Sequence, residues 1–418
     1  MYNKVTPEII AQLKQIVTEK NVIVNREEME DYSHDEYTSE NIRRYPEVVV
    51  KPVTAEQVSK IVKVAYENYI PITPRGAGTG LAGGCVPLYG GIVVSLENMN
   101  RIIEIDRANL VCVCEAGVRL MDIFKTVEEQ GLYFPPHPGA ESAMIGGTIA
   151  TNAGGSRAVK YGVMRNFVRG IEVVLPNGEI MTFGGKFIKD ATGYSLLNLF
   201  IGSEGTLGII TKCIIRLLPQ LKSTTMLVVP FADIDDAIKT VPELFVSGTI
   251  PVTLEFFEKD VIEATENLIK VKWPFPEGNA YLMLIVDANS EDENLKTCSI
   301  LTEICMKNKG LTVYVIDSKS KQKELLNFRN NFYEALKSTM IETLDISVPP
   351  AKIADYVREV KKIAEHHRIR VINYGHAGDG NVHTHIMKNS EIRDTKYERV
   401  RNEIYELGLK LGGVITGE

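Results

Sequence analysis

The spacing of apolar positions changes several times along the 418-residue chain. Behind Thr6-Pro7, a cap and a first-turn proline, Ile9, Ile10, Leu13, Ile16 and Val17 follow helical spacing, which predicts an amphipathic helix to about residue 20. After a polar irregular segment, "PEVVVKP" predicts a strand. "TAEQVSKIVKVAYEN" returns to a period of 3.6, with Val58, Ile61, Val62 and Ala65 on one face and Thr54 and Gln57 at capping-box spacing. "YIPITP" predicts a second strand, so this part reads as a strand-helix-strand unit that ends at a glycine loop.

From there to about Gln220, short β-rich runs ("GIVVSLE", "RIIEID", "LVCVCEAG", "GIEVVLPNGEIMTF", "LGIITKCIIRLLP") alternate with glycine-rich connections. In "LPNGE", Asn177-Gly178 is expected to supply the positive φ angles of a tight hairpin turn. Beyond Pro219 the strands "TTMLVVPF", "VTLEFFEKD", "NAYLMLIVDAN" and "LTVYVID" alternate with helical stretches at 233 to 246 and 292 to 309. Residues 320 to 340 and 352 to 366 predict further amphipathic helices, and "IRVINYG" a strand. The change of pattern predicts a first domain over 1–222 (core about 44–222), an α+β domain with an antiparallel sheet over 223–410, and a closing segment 411–418.

Composition narrows the function classes. With 44% hydrophobic and 24% charged residues the chain fits a soluble globular protein of two or three domains. A net charge of -7 does not advertise the basic face that nucleic-acid phosphates require. No cleavable leader pattern opens the sequence, and no run approaches the roughly 18 apolar residues that span a bilayer, so a cytoplasmic protein is expected. The 6 cysteines contain no CxxC, which argues against an encoded iron-sulfur cluster or zinc knuckle. Cys112 and Cys114, on one face of a predicted strand, read as small buried hydrophobes.

Candidate chemistry lies in three glycine-rich segments and one histidine cluster. "PRGAGTGLAGG" (74–84) satisfies GxGxxG at Gly78, Gly80 and Gly83, but it leads into another strand rather than opening a helix, which removes the Rossmann reading. Backbone N–H groups in such a loop can still form an anion nest for a pyrophosphate. "PPHPGAESAMIGGTIATNAGG" (135–155) and "KDATGYSLLNLFIGSEGTLGIITK" (189–212) add two more stretches where backbone can approach a large flat ligand. In "NYGHAGDGNVHTHIM" (373–387), Asp379-Gly380 reads as a turn before a strand, with His383 and His385 on one face and His376 able to fold back toward them. Converging imidazoles can supply part of a Zn²⁺ or Fe²⁺ site completed by a carboxylate, which spacing alone does not identify; satisfied surface histidines fit the same pattern.

These segments together resemble the vanillyl-alcohol-oxidase-type flavoproteins, with a PCMH-type FAD-binding domain and an α+β cap. The branch is that of the glycolate oxidase flavin subunit, D-lactate dehydrogenase and D-2-hydroxyglutarate dehydrogenase, and the match runs from about residue 44 to the end. The resemblance implies that Pro74, Arg75, Gly76, Ala77, Gly78, Thr79 and Gly80 wrap the FAD pyrophosphate. It implies that Pro138, Gly139, Ser142, Gly146, Gly147, Asn152 and Gly155, with Gly205 and Ile209, line the adenosine and isoalloxazine regions. Thr79 stands where covalently flavinylated relatives carry histidine, so the FAD is expected to be dissociable. The motifs "GHxGDGNxH" and "GGxxxGE" imply that His376, His383 and Glu418 ligate a divalent metal, with His385 facing the substrate.

Arg329, in "LLNFRNNFYEAL", matches the arginine that binds the substrate carboxylate, a task suited to its bidentate fork. Thr343, two residues before Asp345 in "TLDISVP", stands where some relatives carry a second cation, which weakens the case for a dicarboxylate. In relatives the closing motif continues into a histidine proposed as the base; the sequence ends at Glu418, so that group is expected past its end. The resemblance thus implies an FAD-dependent, metal-assisted dehydrogenase of a small D-2-hydroxyacid, D-lactate first and glycolate next. It is similar to the lactate dehydrogenase subunit that works with electron-transferring flavoprotein, which makes that protein the expected electron acceptor ahead of a quinone or an iron-sulfur subunit. A non-catalytic flavin relay subunit and an oxidase that uses O₂ directly are the rival readings.

Overall fold

The structure, a computed structural model, describes residues 2–36, 42–388 and 394–416. The chain divides into two compact units. The first comprises Met1–Gly154 and Gly162–Gln220; the second comprises Leu221–Gly417 and takes in a short excursion, Gly155–Tyr161, from within the first half of the chain.

In the first unit, Thr6 caps the helix Pro7–Val17 by accepting from the Ile9 amide, and the apolar stripe buries Ile9, Leu13 and Val17. Strands β1 (Val22–Ile23), β2 (Val48–Val50), β3 (Ile72–Arg75) and β4 (Ile92–Ser95) form a sheet in the order β1-β2-β4-β3. Both β2 and β3 run parallel to β4, and the helix Ala55–Glu67 lies between them in sequence. Thr54 caps that helix from the Gln57 amide, while the Gln57 side chain reaches past the cap to the Val53 amide at 2.8 Å. Val58, Ile61, Val62 and Ala65 are its buried face.

The next strands are β5 (Ile102–Asp106), β6 (Val111–Glu115), β7 (Leu132–Tyr133), β8 (Val168–Val174), β9 (Ile180–Gly184), β10 (Ile209–Arg216) and β11 (Leu218–Pro219). Five of them make an antiparallel sheet, β5-β6-β10-β8-β9, and β7 pairs with β11. Cys112 and Cys114 are fully buried, with Cys114 Sγ 3.4 Å from Cys213 Sγ across the ladder. The β8-β9 turn differs from the expectation for Asn177-Gly178. Only Gly178 has positive φ (81°), and the Leu175 amide donates to the Glu179 carbonyl at 2.8 Å, closing a three-residue loop. Asn177 instead accepts the Glu179 amide on Oδ1 at 3.0 Å, so one left-handed residue suffices.

The second unit is built on eight strands: β12 (Ser223–Phe231), β13 (Thr253–Glu258), β14 (Ala280–Ala288), β15 (Tyr314–Ile316), β16 (Met340–Ser347), β17 (Val371–His376), β18 (Asn381–Met387) and β19 (Val414–Ile415). Their order is β15-β12-β14-β13-β17-β18-β16-β19, and every ladder is antiparallel. Alternation divides the sheet into two faces. One carries Leu254, Phe256, Leu282, Leu284, Leu344 and Ile346 beneath the helices Ile234–Val246, Glu291–Lys307, Ile353–His366 and Asp394–Lys410. The other carries Phe257, Tyr281, Met283, Ile372 and Tyr374 beneath the helices Lys259–Ile269, Lys319–Asn330 and Phe332–Lys337.

The single helix expected over 320 to 340 is two, broken at Asn331, and its end has become β16. Phe328 and Phe332, on either side of the break, are both buried, their rings edge to face at 6.2 Å.

Candidate functional site

Each unit contributes one candidate region. In the first, β3 delivers Pro74 and Arg75, and Gly76, Ala77, Gly78, Thr79 and Gly80 continue as irregular loop. Pro138, Gly139 and Ser142 lie in the loop before a short helix, Ile145–Thr151, that holds Gly146 and Gly147; Asn152 ends that helix in the left-handed conformation. Gly205 lies on the loop before β10, and Ile209 opens that strand, buried against β8.

The fold brings the three glycine segments of this unit together. A Cβ on Gly76 would touch Met144 at 3.5 Å, and one on Gly205 would sit 2.9 Å from Pro74 Cγ. The Gly202 amide donates to the Ile149 carbonyl at 3.1 Å, and the Glu204 amide to the Ala150 carbonyl at 2.9 Å. Not every glycine there serves open space. Gly146 is pressed on Ala116, whose Cβ would lie 2.5 Å from a new methyl group, so its role is close packing of the helix on the turn that follows β6. At Gly139 and Gly147 a Cβ would meet nothing within 4 Å, so bare backbone borders room that a large flat ligand can fill. Gly155 belongs to the second unit, buried at φ 110°.

In the second unit, β17 and β18 form the hairpin that carries the histidines. Gly380 (φ 89°) closes its turn by donating to the His376 carbonyl at 3.1 Å. The register sets Tyr374 opposite His383 and Ile372 opposite His385, all on the sheet face away from the four-helix layer. Glu255 on β13 lies opposite His376, and Asp345 on β16 opposite His383.

The polar contacts follow from that register. Glu255, 1% exposed, accepts from His376 Nδ1 at 2.6 Å on Oε1, and from Arg329 Nε at 2.9 Å and Nη2 at 2.6 Å on Oε2. Burial would raise its pKa, but the Arg329 and His376 charges overcome that and hold the carboxyl at about 2. An ionised carboxylate only accepts, so His376 carries a proton on Nδ1, which directs Nε2 away from Glu255. His383 has the same geometry, with Nδ1 2.9 Å from Asp345 Oδ1, and its ring meets that of His376 edge to face at 5.2 Å. Arg329, at the end of its helix, stands 5.5 Å over the Tyr374 ring. The Nε and Nη2 edge of its fork thus faces Glu255, so a substrate carboxylate would have to meet the guanidinium from its other side.

His385 is fully buried beneath Tyr374, stacked at 4.8 Å, with Nδ1 3.0 Å from Thr343 Oγ1. Nε2 has no hydrogen-bond partner among the described residues. Burial, aided by the charge of His383, pushes its pKa down to about 3, so it is neutral at physiological pH.

Metal ligation can be tested on the donor set. Histidines that bind metals give their second ring nitrogen to a carboxylate, the arrangement of both His376 and His383. Among the described residues, however, no group of three His, Cys, Asp or Glu side chains is arranged to hold a metal ion. Glu418 lies outside the described residues. Glu255 was not picked out from the sequence, though a lone acid between apolar neighbours in "VTLEFFEKD" is a signal for a buried partner. Asp345 served there only as a ruler for its neighbour. No helix among the described residues is long and apolar enough to cross a membrane.

Comparison with known proteins gives two family matches: an FAD binding domain over residues 46–184, and the C-terminal domain of FAD linked oxidases over residues 220–418. A D-lactate dehydrogenase of Archaeoglobus fulgidus is 46% identical over 371 residues, 89% of this chain and 82% of the relative. A D-lactate dehydrogenase of Anaerostipes hadrus is 40% identical over 100% of this chain and 90% of its own. Glycolate oxidase subunit GlcD of Bacillus subtilis is 35% identical over 99% and 88%. Among solved structures, p-cresol methylhydroxylase with substrate bound superposes with a TM-score of 0.80 at 18% identity, covering 99% of this chain and 90% of that one, a likeness of fold.

Proposed function

Because the chain belongs to the FAD-linked oxidases, carrying both their FAD-binding and their C-terminal domains, and is thereby a flavin-linked oxidoreductase, we propose that it oxidises a small D-2-hydroxyacid, D-lactate foremost, to the 2-oxoacid. The observation that carries this reading is the pair of imidazoles fixed at Nδ1 by carboxylates, Glu255 buried and Asp345 partly buried, beside the partly buried Arg329. The names of the relatives, D-lactate dehydrogenase and glycolate oxidase subunit, supply the substrate class.

In this reading the FAD, held without a covalent bond because Thr79 offers no imidazole, supplies the hydride acceptor. A divalent metal, Zn or Fe, held by His376, His383 and Glu418, would supply Lewis acidity toward the hydroxyl and carboxylate oxygens of the substrate. Arg329 binds the substrate carboxylate, and its position is set by Glu255 and the Tyr374 ring. Glu255 also keeps the His376 proton on Nδ1. His385, neutral and enclosed, adds no charge beside the reacting carbon. Electrons then pass to electron-transferring flavoprotein in a cytoplasmic setting; an iron-sulfur subunit or a quinone is the alternative acceptor. Residues 1–222 serve the flavin and 223–410 the substrate.

The test is anaerobic mixing of the yellow protein with D-lactate, L-lactate, glycolate and D-2-hydroxyglutarate. D-lactate should bleach the flavin fastest, chelator should slow the bleaching, and acid precipitation should release the flavin intact. A flavin that no hydroxyacid bleaches would leave a relay subunit as the better account. Fastest bleaching by glycolate would move the assignment to the glycolate enzymes.

A further inference from the structure

Arg75 stands within the first glycine ribbon, yet its side chain turns away from open space. The guanidinium is buried, and Nη1 donates to the His34 carbonyl at 2.8 Å and to Cys85 Sγ at 3.0 Å, while Nη2 donates to the Asp31 carbonyl at 2.5 Å. Its carbon lies 5.7 Å from the Tyr32 ring centroid. These acceptors flank the ribbon in sequence, with residues 31 to 34 upstream and Cys85 just past its end. Two further bonds join the same parts: the Gly83 amide donates to Asp35 Oδ2 at 2.8 Å, and the Glu36 amide to the Gly80 carbonyl at 3.0 Å.

Gly78 completes the arrangement. At φ 76° its backbone lies directly on the guanidinium, and a Cβ there would fall 2.1 Å from Nη2. The hydrogen-bond acceptors of Arg75 are two carbonyls and a sulfur, none of them a carboxylate. A positive charge with no carboxylate among its hydrogen-bond acceptors therefore sits against the Gly78 backbone, while the nearby buried Asp35 carboxylate is taken up by the Gly83 amide at the far end of the ribbon.

We propose that Arg75 is a positioning residue for the cofactor loop: it ties residues 76–80 to the segment 31–36 and sets a buried positive charge beneath the place where the FAD pyrophosphate binds, without touching it. The inference rests on residues 76–80 being the pyrophosphate loop. It differs from the role the family resemblance implies for Arg75, direct contact with the cofactor.

The experiment is FAD titration of flavin-stripped protein, followed by quenching of flavin fluorescence, with the wild type, Arg75→Met, Arg75→Lys and Gly78→Ala. Arg75→Met should weaken FAD binding at least about tenfold and flatten its salt dependence, while Arg75→Lys, which keeps the charge but loses the fork, falls between. Gly78→Ala should weaken binding at least about tenfold with Arg75 in place, and far less in the Arg75→Lys background, because the shorter side chain vacates the spot where the new methyl group lands. The left-handed strain of alanine is common to both backgrounds and cancels, so the comparison stands even where Arg75→Met does not fold. FAD affinity within about twofold of wild type in folded Arg75→Met, or an equal Gly78→Ala effect in both backgrounds, would overturn the proposal. Failure of the wild-type apoprotein to bind FAD would instead defeat the assignment of the loop.

Discussion

Replacing Glu255 by Gln keeps its shape and removes its charge, which isolates what the buried carboxylate contributes. Its folded pKa of about 2 lies below the ordinary 4.5. That shift corresponds to about 3–4 kcal/mol of stability at neutral pH, at roughly 1.4 kcal/mol per unit. An independent route agrees, since removing one partner of a buried ion pair costs about 3–5 kcal/mol, and Arg329, 16% exposed, would lose the Glu255 charge. Because the folded pKa is depressed, the contribution is complete above about 4.5 and is lost as pH falls toward 2. By that arithmetic it shrinks to about 2 kcal/mol near pH 3.5. The chain has one tryptophan, Trp273, packed in the core of the second unit on the same sheet face, so its emission reports this unit. Urea unfolding followed by that emission should show Glu255→Gln less stable by about 3–4 kcal/mol at pH 7, with a gap that narrows in acid. A difference under about 1 kcal/mol at pH 7, or a gap independent of pH, would refute the reasoning.

Two further outcomes follow from the same hairpin. His385 stays neutral in the folded chain down to about 3, whereas an unfolded imidazole protonates below 6.5; stability should therefore fall on acidification below 6.5, by up to about 1.4 kcal/mol per pH unit, and His385→Phe should flatten that slope in the Trp273 assay. An unchanged slope in the variant would locate the acid sensitivity elsewhere. At Gly380, φ is 89° and a Cβ would lie 1.9 Å from the Val348 carbonyl oxygen. Gly380→Ala should then destabilise the second unit by about 2 kcal/mol or more in urea, and a loss below about 0.5 kcal/mol would contradict that geometry.

Much of the fold was legible locally. Thr6 and Thr54 cap the helices they were expected to cap, and the apolar face Val58, Ile61, Val62, Ala65 is the buried one, because capping and amphipathicity act within a turn or two of chain. The break at Asn331 was not legible, since residues 320 to 340 keep helical periodicity across it, and Phe328 and Phe332, four residues apart, would share one face of an unbroken helix as well. In the candidate site, the histidines announced themselves by type and spacing, but the carboxylates that orient them did not. His376 and Glu255 are 121 residues apart and meet only through the β13-β17 register, which a single sequence does not contain. Arg75 was marked as part of a loop, but the inward direction of its side chain depends on acceptors some 40 residues upstream.

The excursion Gly155–Tyr161 makes the halves of the chain inseparable by a single cut. Tyr161 hydrogen-bonds Asp287 at 2.7 Å, and Val159 sits so close under Gly378 that a methyl group there would be only 2.3 Å from it. The turn that carries the histidines is thus buttressed by a residue translated more than two hundred positions earlier. A protease nick after Gln220 would yield an amino-terminal fragment still holding residues 155–161 of its neighbour, so the two fragments would stay together as a complementing pair. A gene split at that point would separate the histidine turn from its buttress.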